Sequence, residues 1–180
     1  MDGTRVWEQP GEPDKLYFVH VGTGGKNLLA LALPNRRVPP TIASLYDIDN
    51  SLIWMHTIDG VDVSGSVSSW DYTAAISYKK QIKHGGKEVP VRYVTFIGRS
   101  GSNEWEKGGI FFQPKLISFT RDGLLVYDDL SVYSLDLTGK VNSKVKLPAR
   151  VRLCRTDSTG NNIVLYCGDG NLYCIKAKSK

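Results

Sequence analysis

The sequence predicts an all-β fold that is built from one repeated β-hairpin. Residues 120–139 read TRDGLLVYDDLSVYSLDLTG, which places turns at Asp122-Gly123 and Asp128-Asp129 around two short strands. Nearly the same pattern recurs at 44–60 and at 158–177. The sequence has no apolar stripe of helical period and useful length. Short antiparallel strands therefore account for the whole repeating part of the chain.

The second strand of each hairpin carries an aromatic residue in phase with the others. These residues are Trp54, Tyr93, Tyr133 and Tyr173, which lie close to 40 residues apart. Alternate residues of a strand face the same side of the sheet. Aromatic residues in phase therefore predict equivalent packed positions in successive repeats.

The elements follow from the alternation of apolar runs and turn residues along the chain. Residues 1–14 are polar, with Pro10, Gly11 and Pro13, and we interpret them as a flexible lead-in to a single domain that spans 15–180. Residues 36–40 are a stiff connector, whereas 81–90 and 99–108 are irregular loops. Strands are expected at 16–21, 28–33, 44–48, 52–58, 66–69, 74–80, 91–98, 110–112, 124–127 and 130–137, with two more in the last repeat.

A period near 40 residues with about four short strands per unit is typical of a β-propeller blade. The rhythm of the last two units, Asp-Gly, an apolar hairpin, Tyr and then Asp, resembles that of WD-repeat or PQQ-like propellers over roughly residues 41–178. The Gly-His and terminal Trp-Asp signatures are missing, so the resemblance implies an architecture and no site residues. That architecture is a β-propeller or partial propeller of four to five antiparallel blades, each three- or four-stranded.

The number of blades raises the question of how the ring closes. Four or five blades lie at the low end for closed propellers, and the last repeat ends at its third strand. An open fan leaves strand edges that proteins normally cover. Either the hairpin at 15–35 completes the last blade, or another chain supplies the missing blades.

Charge and cysteine content bound the environment of the protein. The net charge is +5, but residues 140–180 carry +7 and the first 139 residues −2. A basic end attracts acidic proteins, RNA or membrane surfaces, although solvated lysines at strand edges explain the same charges. The sequence contains no apolar run near the roughly 20 residues of a membrane span, and its polar start does not resemble a signal peptide.

The three cysteines, Cys154, Cys167 and Cys174, favour free thiols in a reducing compartment. We therefore expect an intracellular protein, cytoplasmic or nuclear. A two-residue turn at Asp169-Gly170 would place Cys167 and Cys174 diagonally on one face of a sheet, where buried apolar thiols are favoured over a metal site or a strained disulfide.

The sequence predicts no catalytic, metal or cofactor site. His20, His56 and His84 each stand alone, and no His/Cys spacing matches a metal site. No Gly-x-Ser-x-Gly motif is present, and the paired acids at 47–49 and 128–129 lie in turns, where aspartate is favoured by the backbone. We expect His56 to be packed or hydrogen-bonded and the protein not to be an enzyme.

Two segments interrupt the repeat and supply the candidate partner-binding residues. Basic side chains and tyrosines occur together near 78–93, and a tryptophan stands among polar residues at 98–108. The candidates are Lys79, Lys80, Lys83, Lys87, Arg92, Arg99 and Trp105. They favour a non-catalytic protein-interaction scaffold in a larger assembly, since lone tryptophans are enriched at interfaces. The alternative is an RNA- or polyanion-binding module that uses the basic loop 79–92 and the basic C-terminal region. Trp105 packing back onto a blade edge is an equally good interpretation.

Overall fold

A computed structural model describes residues 15–22, 25–34, 40–111, 113–120, 122–157 and 162–176. Within these ranges the chain forms fifteen strands and no helix, so none of the described segments is a helix capable of crossing a membrane. The strands are β1 Lys15–Val21, β2 Asn27–Pro34, β3 Thr41–Asp47, β4 Leu52–Ile58, β5 Val61–Ser68, β6 Ala74–His84, β7 Lys87–Ile97, β8 Asn103–Gly108, β9 Lys115–Thr120, β10 Gly123–Asp128, β11 Ser131–Asp136, β12 Val141–Lys146, β13 Val151–Thr156, β14 Asn162–Cys167 and β15 Leu172–Lys176.

The described strands form four antiparallel sheets, in each of which neighbours in sequence are neighbours in space. The first sheet contains β1 to β4, the second β5 to β8, the third β9 to β12 and the fourth β13 to β15. The predicted all-β fold of three- or four-stranded antiparallel sheets is therefore confirmed. The predicted lead-in at 1–14 and most of the connector at 36–40 lie outside the described residues.

The sheets are stacked side by side, and the main contacts between neighbouring sheets involve the first strand of at least one of the two. β1 contacts β5, β5 contacts β9, and β9 contacts β13. The later strands of each sheet consequently fan outward, which is the arrangement of blades around an axis. Three clusters of buried side chains fill the spaces between consecutive sheets.

The hairpin expected at 15–35 belongs to the first sheet, so the alternative in which it completes the last blade is wrong. β2 pairs with β3 so that Leu29 lies opposite Leu45 and Leu31 opposite Ala43, and all four side chains are fully buried. Because these residues face the second sheet in one cluster, apolar burial fixes the hairpin where it is. The hairpin is half of a blade and not a fifth unit.

The segment 81–90, expected to be a loop, is a two-stranded ribbon that continues β6 and β7. Lys80 lies opposite Val91, and the pairing continues to His84 opposite Lys87. Gly85 and Gly86 form the turn with φ of 56° and 76°, the left-handed conformation that tight hairpins require. A pattern of buried apolar residues that would predict these strands is missing here, because neither face of the ribbon is buried.

The expected loop at 99–108 contains β8, whose residues pair with β7. This strand is the outer edge of the second sheet, so its sequence NEWEKG is polar, as edge strands commonly are. The expected strand at 110–112 is also wrong: Ile110 and Phe111 are in no strand, and residue 112 lies outside the described ranges.

One type of turn recurs along the chain. In each case the first residue's N–H donates to the fifth residue's carbonyl, and the fourth residue's N–H donates back to the first residue's carbonyl. The fourth residue has positive φ, which favours Gly or Asn. Such turns span 47–51, 69–73, 98–102, 136–140 and 167–171.

The turn at 167–171 overturns the predicted placement of the cysteines. Tyr166 lies opposite Leu172, and Cys174 lies opposite Val164. Cys167 therefore points into the core, whereas Cys174 is exposed on the other face. All three thiols are free, and burial raises the pKa of Cys154 to about 12.

Candidate interaction surfaces

Three of the predicted cationic residues interact within the second sheet. The Lys79 ammonium lies 3.1 Å from an Asp62 carboxylate oxygen, and the Arg92 guanidinium donates to the Asp62 carbonyl at 2.8 Å. Lys80 lies 3.6 Å from Glu106, which also accepts a hydrogen bond from the buried Tyr78 hydroxyl. These interactions hold the base of the ribbon onto the sheet.

Of the five cationic residues predicted in the ribbon, only the two in its outer part are exposed to solvent. Lys83 and Lys87 are exposed on the two strands next to the turn, and so is His84. Glu88 lies directly opposite Lys83. The structure thus divides the predicted basic cluster into a paired base and a small exposed tip.

Arg99 lies at the opposite end of the second sheet from the ribbon tip, in the turn between β7 and β8. Its guanidinium lies 3.2 Å from an Asp71 carboxylate oxygen. Burial acts to raise the pKa of Asp71, but hydrogen bonds from Ser69, Thr73 and Arg99 outweigh burial and hold that pKa below its ordinary value. Arg99 therefore bridges two adjacent turns of the same sheet.

Trp105 joins the second sheet to the third. Its ring stacks on Phe96 with centroids 5.6 Å apart, and its indole N–H donates to the Leu137 carbonyl at 2.9 Å. Gly139, at φ 76°, lies so close that an added Cβ would be 2.8 Å from the indole. The ring is half-buried, so part of it packs within the chain and the rest is exposed to solvent.

The histidines are separate from one another. A ring nitrogen of His56, Nδ1, is 2.8 Å from the Gly101 carbonyl, which confirms the predicted hydrogen-bonded histidine. Burial lowers the pKa of His20. In the described ranges, no three His, Cys, Asp or Glu side chains are grouped so as to hold a metal ion.

An exposed apolar surface lies on the face of the first sheet that points away from the second sheet. Val19, Val21 and Met55 are each about 60% exposed there, at 59%, 61% and 61%. Between them on the same face lie five residues that are half-buried by their strand neighbours: Leu28, Ala30, Ala32, Ile42 and Tyr46. This surface, formed by alternate residues of β1 to β4, is called the leading face below.

The fourth sheet has a matching apolar surface on the side that points away from the third sheet. Leu172 is 72% exposed, and Leu153, Val164 and Tyr166 are also exposed beside it. Leu153 lies opposite Tyr166 and Tyr166 opposite Leu172, so the three side chains form one row across the strands. This surface of β13 to β15 is called the trailing face below.

The sequence carries a signal for these two faces. β2 and β14 read NLLALALP and NIVLYC, with apolar residues on both sides of the strand. Continuous apolar runs are typical of strands that are covered on both faces. By contrast β12, VNSKVK, alternates with polar residues.

No family model matches the sequence, and no curated protein matches it. Solved structures do resemble the fold. Hydrazine synthase from Kuenenia stuttgartiensis matches 88% of this chain and 58% of its own, with a TM-score of 0.67 and 13% identity. BBS1N in complex with ARL6DN matches 96% of this chain and 55% of its own, with a TM-score of 0.61 and 10% identity.

A third similar structure is the computationally designed Ika4 protein. It matches 98% of this chain and 99% of its own, with a TM-score of 0.54 and 12% identity. The chain thus spans rather more than half of the hydrazine synthase and BBS1N chains. At these identities the likeness concerns the fold, which is that of a β-propeller or partial propeller.

Proposed function

We propose that this chain is a non-catalytic scaffold of propeller type, and that its leading and trailing faces bind protein surfaces in a larger assembly. The observation that carries the proposal is the exposure of these two faces at opposite ends of one stack of sheets. Contiguous exposed apolar patches larger than a few hundred Å² mark interaction sites, and the largest such patch on a monomer is often functional. Both faces belong to β-sheets, so they are rigid before any partner binds.

The remaining observations support the same proposal. BBS1N, which has a similar fold, is in complex with ARL6DN in its solved structure. Hydrazine synthase, which is also similar, is named as an enzyme. The fold therefore occurs both in a protein that binds another protein and in an enzyme. The 40-residue spacing of Tyr93, Tyr133 and Tyr173 supports blades of the WD-repeat or PQQ-like kind. Three free cysteines support an intracellular protein, in the cytoplasm or nucleus.

Introducing a charge on each face in cells tests the scaffold function. Val19→Lys alters the leading face, and Leu172→Lys alters the trailing face. Both positions are exposed enough to accept lysine without disrupting the fold. Ser143→Lys, at an exposed position of β12, is the matched control. We expect the tagged chain, isolated gently from its own cells, to migrate well above the mass of one chain, and either face variant to lose bound protein. If the wild type and all three variants retain the same bound proteins, the scaffold function is refuted.

A second candidate function is polyanion binding by the ribbon. It is favoured by the exposure of Lys83 and Lys87 at the tip, beyond the edge of the sheet, and by the basic C-terminal region. Binding of single-stranded RNA would then weaken with salt, with a log–log slope of about −0.7 per phosphate contact. Lys83→Glu with Lys87→Glu should reduce both affinity and slope. A double variant with unchanged affinity and slope would exclude the ribbon.

A further inference from the structure

Each contact between neighbouring sheets in this fold has the same polarity. A trailing side, which faces the next sheet in sequence, packs against the leading side of that sheet. The third sheet is an example, because Leu124 and Leu135 face the second sheet while Leu125 and Val132 face the fourth. Three such contacts hold the four described sheets together.

The two exposed faces are the two halves of a fourth contact of this kind. The first sheet has used its trailing side against the second sheet, and the fourth sheet its leading side against the third. Only a leading face and a trailing face are therefore left. None of the core clusters formed by the described residues combines side chains from the first and fourth sheets.

We propose that two copies of this chain associate head to tail, so that the trailing face of each covers the leading face of the other and an eight-sheet ring closes. This inference rests on the proposed function, since it names the partner of the same two faces. Two copies related by a twofold axis satisfy both faces of both chains at once. Eight sheets lie within the range of closed propellers, which is about four to eight.

The area of the faces agrees with a dimer that needs both contacts. At a strand spacing of about 4.8 Å and a rise of about 3.3 Å per residue, three strands of five or six residues cover about 250 Å² of flat area. Each copy would contribute one leading and one trailing contact, or about 500 Å² before side-chain relief is counted. Specific interfaces at the low end bury about 600 Å² per partner. One contact alone is less than half of that area, and the two together come close to it once side-chain relief is added, so disrupting either face should dissociate the pair.

Charge allows the contact in this direction. The positions that form the leading face between Val19 and Met55 are uncharged, whereas the trailing face carries Arg155 beside Val164. Two trailing faces packed together would bring two copies of Arg155 close to each other, which costs free energy in an apolar contact. A leading face packed on a trailing face avoids this approach of two Arg155 side chains.

Mass in solution is the first test. The chain, at several concentrations, should approach twice its 20.0 kDa by light scattering and reach a plateau there. Val19→Lys and Leu172→Lys should each restore the mass of one chain with an unchanged circular dichroism spectrum, and Ser143→Lys should remain a dimer. A wild-type mass of one chain at every concentration, or masses that rise without a plateau, would overturn the ring.

Crosslinking tests the head-to-tail direction. Cys174 is exposed on the trailing face, so a bismaleimide should join it to a cysteine introduced by Val19→Cys on the leading face of the other copy. The crosslinked dimer should disappear when Cys174→Ser is added, and it should not form with Ser143→Cys. A dimer that persists without Cys174 would mean leading face against leading face and would overturn the proposal.

The same variants separate this inference from the scaffold function. If the chain is monomeric but Val19→Lys or Leu172→Lys still releases other proteins in cells, the second copy is wrong and the scaffold stands. If the chain is monomeric and neither variant changes any complex, both proposals fail.

Discussion

Truncating Tyr133 should be among the most destabilising single changes in this protein. Its ring is only 3% exposed in the space between the second and third sheets, and it meets Phe111 edge-on at 5.0 Å between centroids. Its hydroxyl donates to an Asp128 carboxylate oxygen at 2.8 Å. Tyr133→Ala therefore removes a buried ring and the donor to a buried carboxylate.

The magnitude follows from these two losses. Aromatic truncation in a core costs about 3–5 kcal/mol, and a buried acceptor deprived of its donor costs about 1–3 kcal/mol more. We expect Tyr133→Ala to lower the free energy of unfolding by about 4–8 kcal/mol and Tyr133→Phe by about 1–3 kcal/mol. Because a domain is stable by only about 5–15 kcal/mol, the alanine variant should be close to unfolding.

Urea denaturation followed by tryptophan fluorescence measures both variants. The chain concentration must be the same throughout, since association with a second copy adds stability by mass action. Tyr133→Phe serves as the matched control, because it keeps the ring and removes only the hydroxyl. A loss below about 1.5 kcal/mol for Tyr133→Ala would refute the packing argument.

Further changes test other parts of the structure. Tyr173→Ala should cost clearly less than Tyr133→Ala, because that ring is only half-buried; an equal cost in the same urea titrations would contradict this. Gly139→Ala should destabilise by at least about 1 kcal/mol, since φ is 76° and a Cβ would meet the Trp105 ring; an unchanged urea midpoint would argue against the contact. In the single-chain form, Cys174 should react rapidly with a thiol reagent and the two buried thiols only on unfolding; three fast thiols would disprove this. Hydrogen bonds from Tyr173 and Asn171 hold the pKa of Asp169 below its ordinary value, although burial opposes them. Its contribution to stability is therefore present above an ordinary pKa of about 4 and lost as pH falls through the lower folded value. Urea midpoints between about pH 2 and 6 should show a smaller acid loss for Asp169→Asn than for the wild type, and identical slopes would contradict this.

The strands that could be predicted were those whose local chemistry is sufficient by itself. Asp128 and Asp136 accept backbone N–H groups within their own turns, so the turn residues and the alternation beside them are readable from a few residues. The ribbon and β8 were missed for the opposite reason. Both are solvated, and their pairing rests on backbone hydrogen bonds to a strand already present.

The candidate site was predicted less well than the fold. Lys79, Lys80 and Arg92 looked like free cations in sequence, yet carboxylates and carbonyls from other strands lie against them. Trp105 looked stranded among polar residues, yet its partners Phe96 and Leu137 come from two different sheets. Exposure of a side chain depends on such distant neighbours, which no local pattern reveals.

The amino-acid sequence alone determined that this chain is all-β and that its hairpins repeat every 40 residues or so. These properties depend on turn chemistry and on period-two patterning, both of which act over a few residues. Tyr93, Tyr133 and Tyr173 do lie in the third strand of successive sheets, but Trp54, predicted to be equivalent, lies in the fourth strand of the first sheet, so that part of the prediction is wrong. Only the tertiary structure decided which apolar faces are covered and which are exposed. Each sheet is covered by side chains far away in sequence, so the leading and trailing faces became visible only when the sheets were stacked in order.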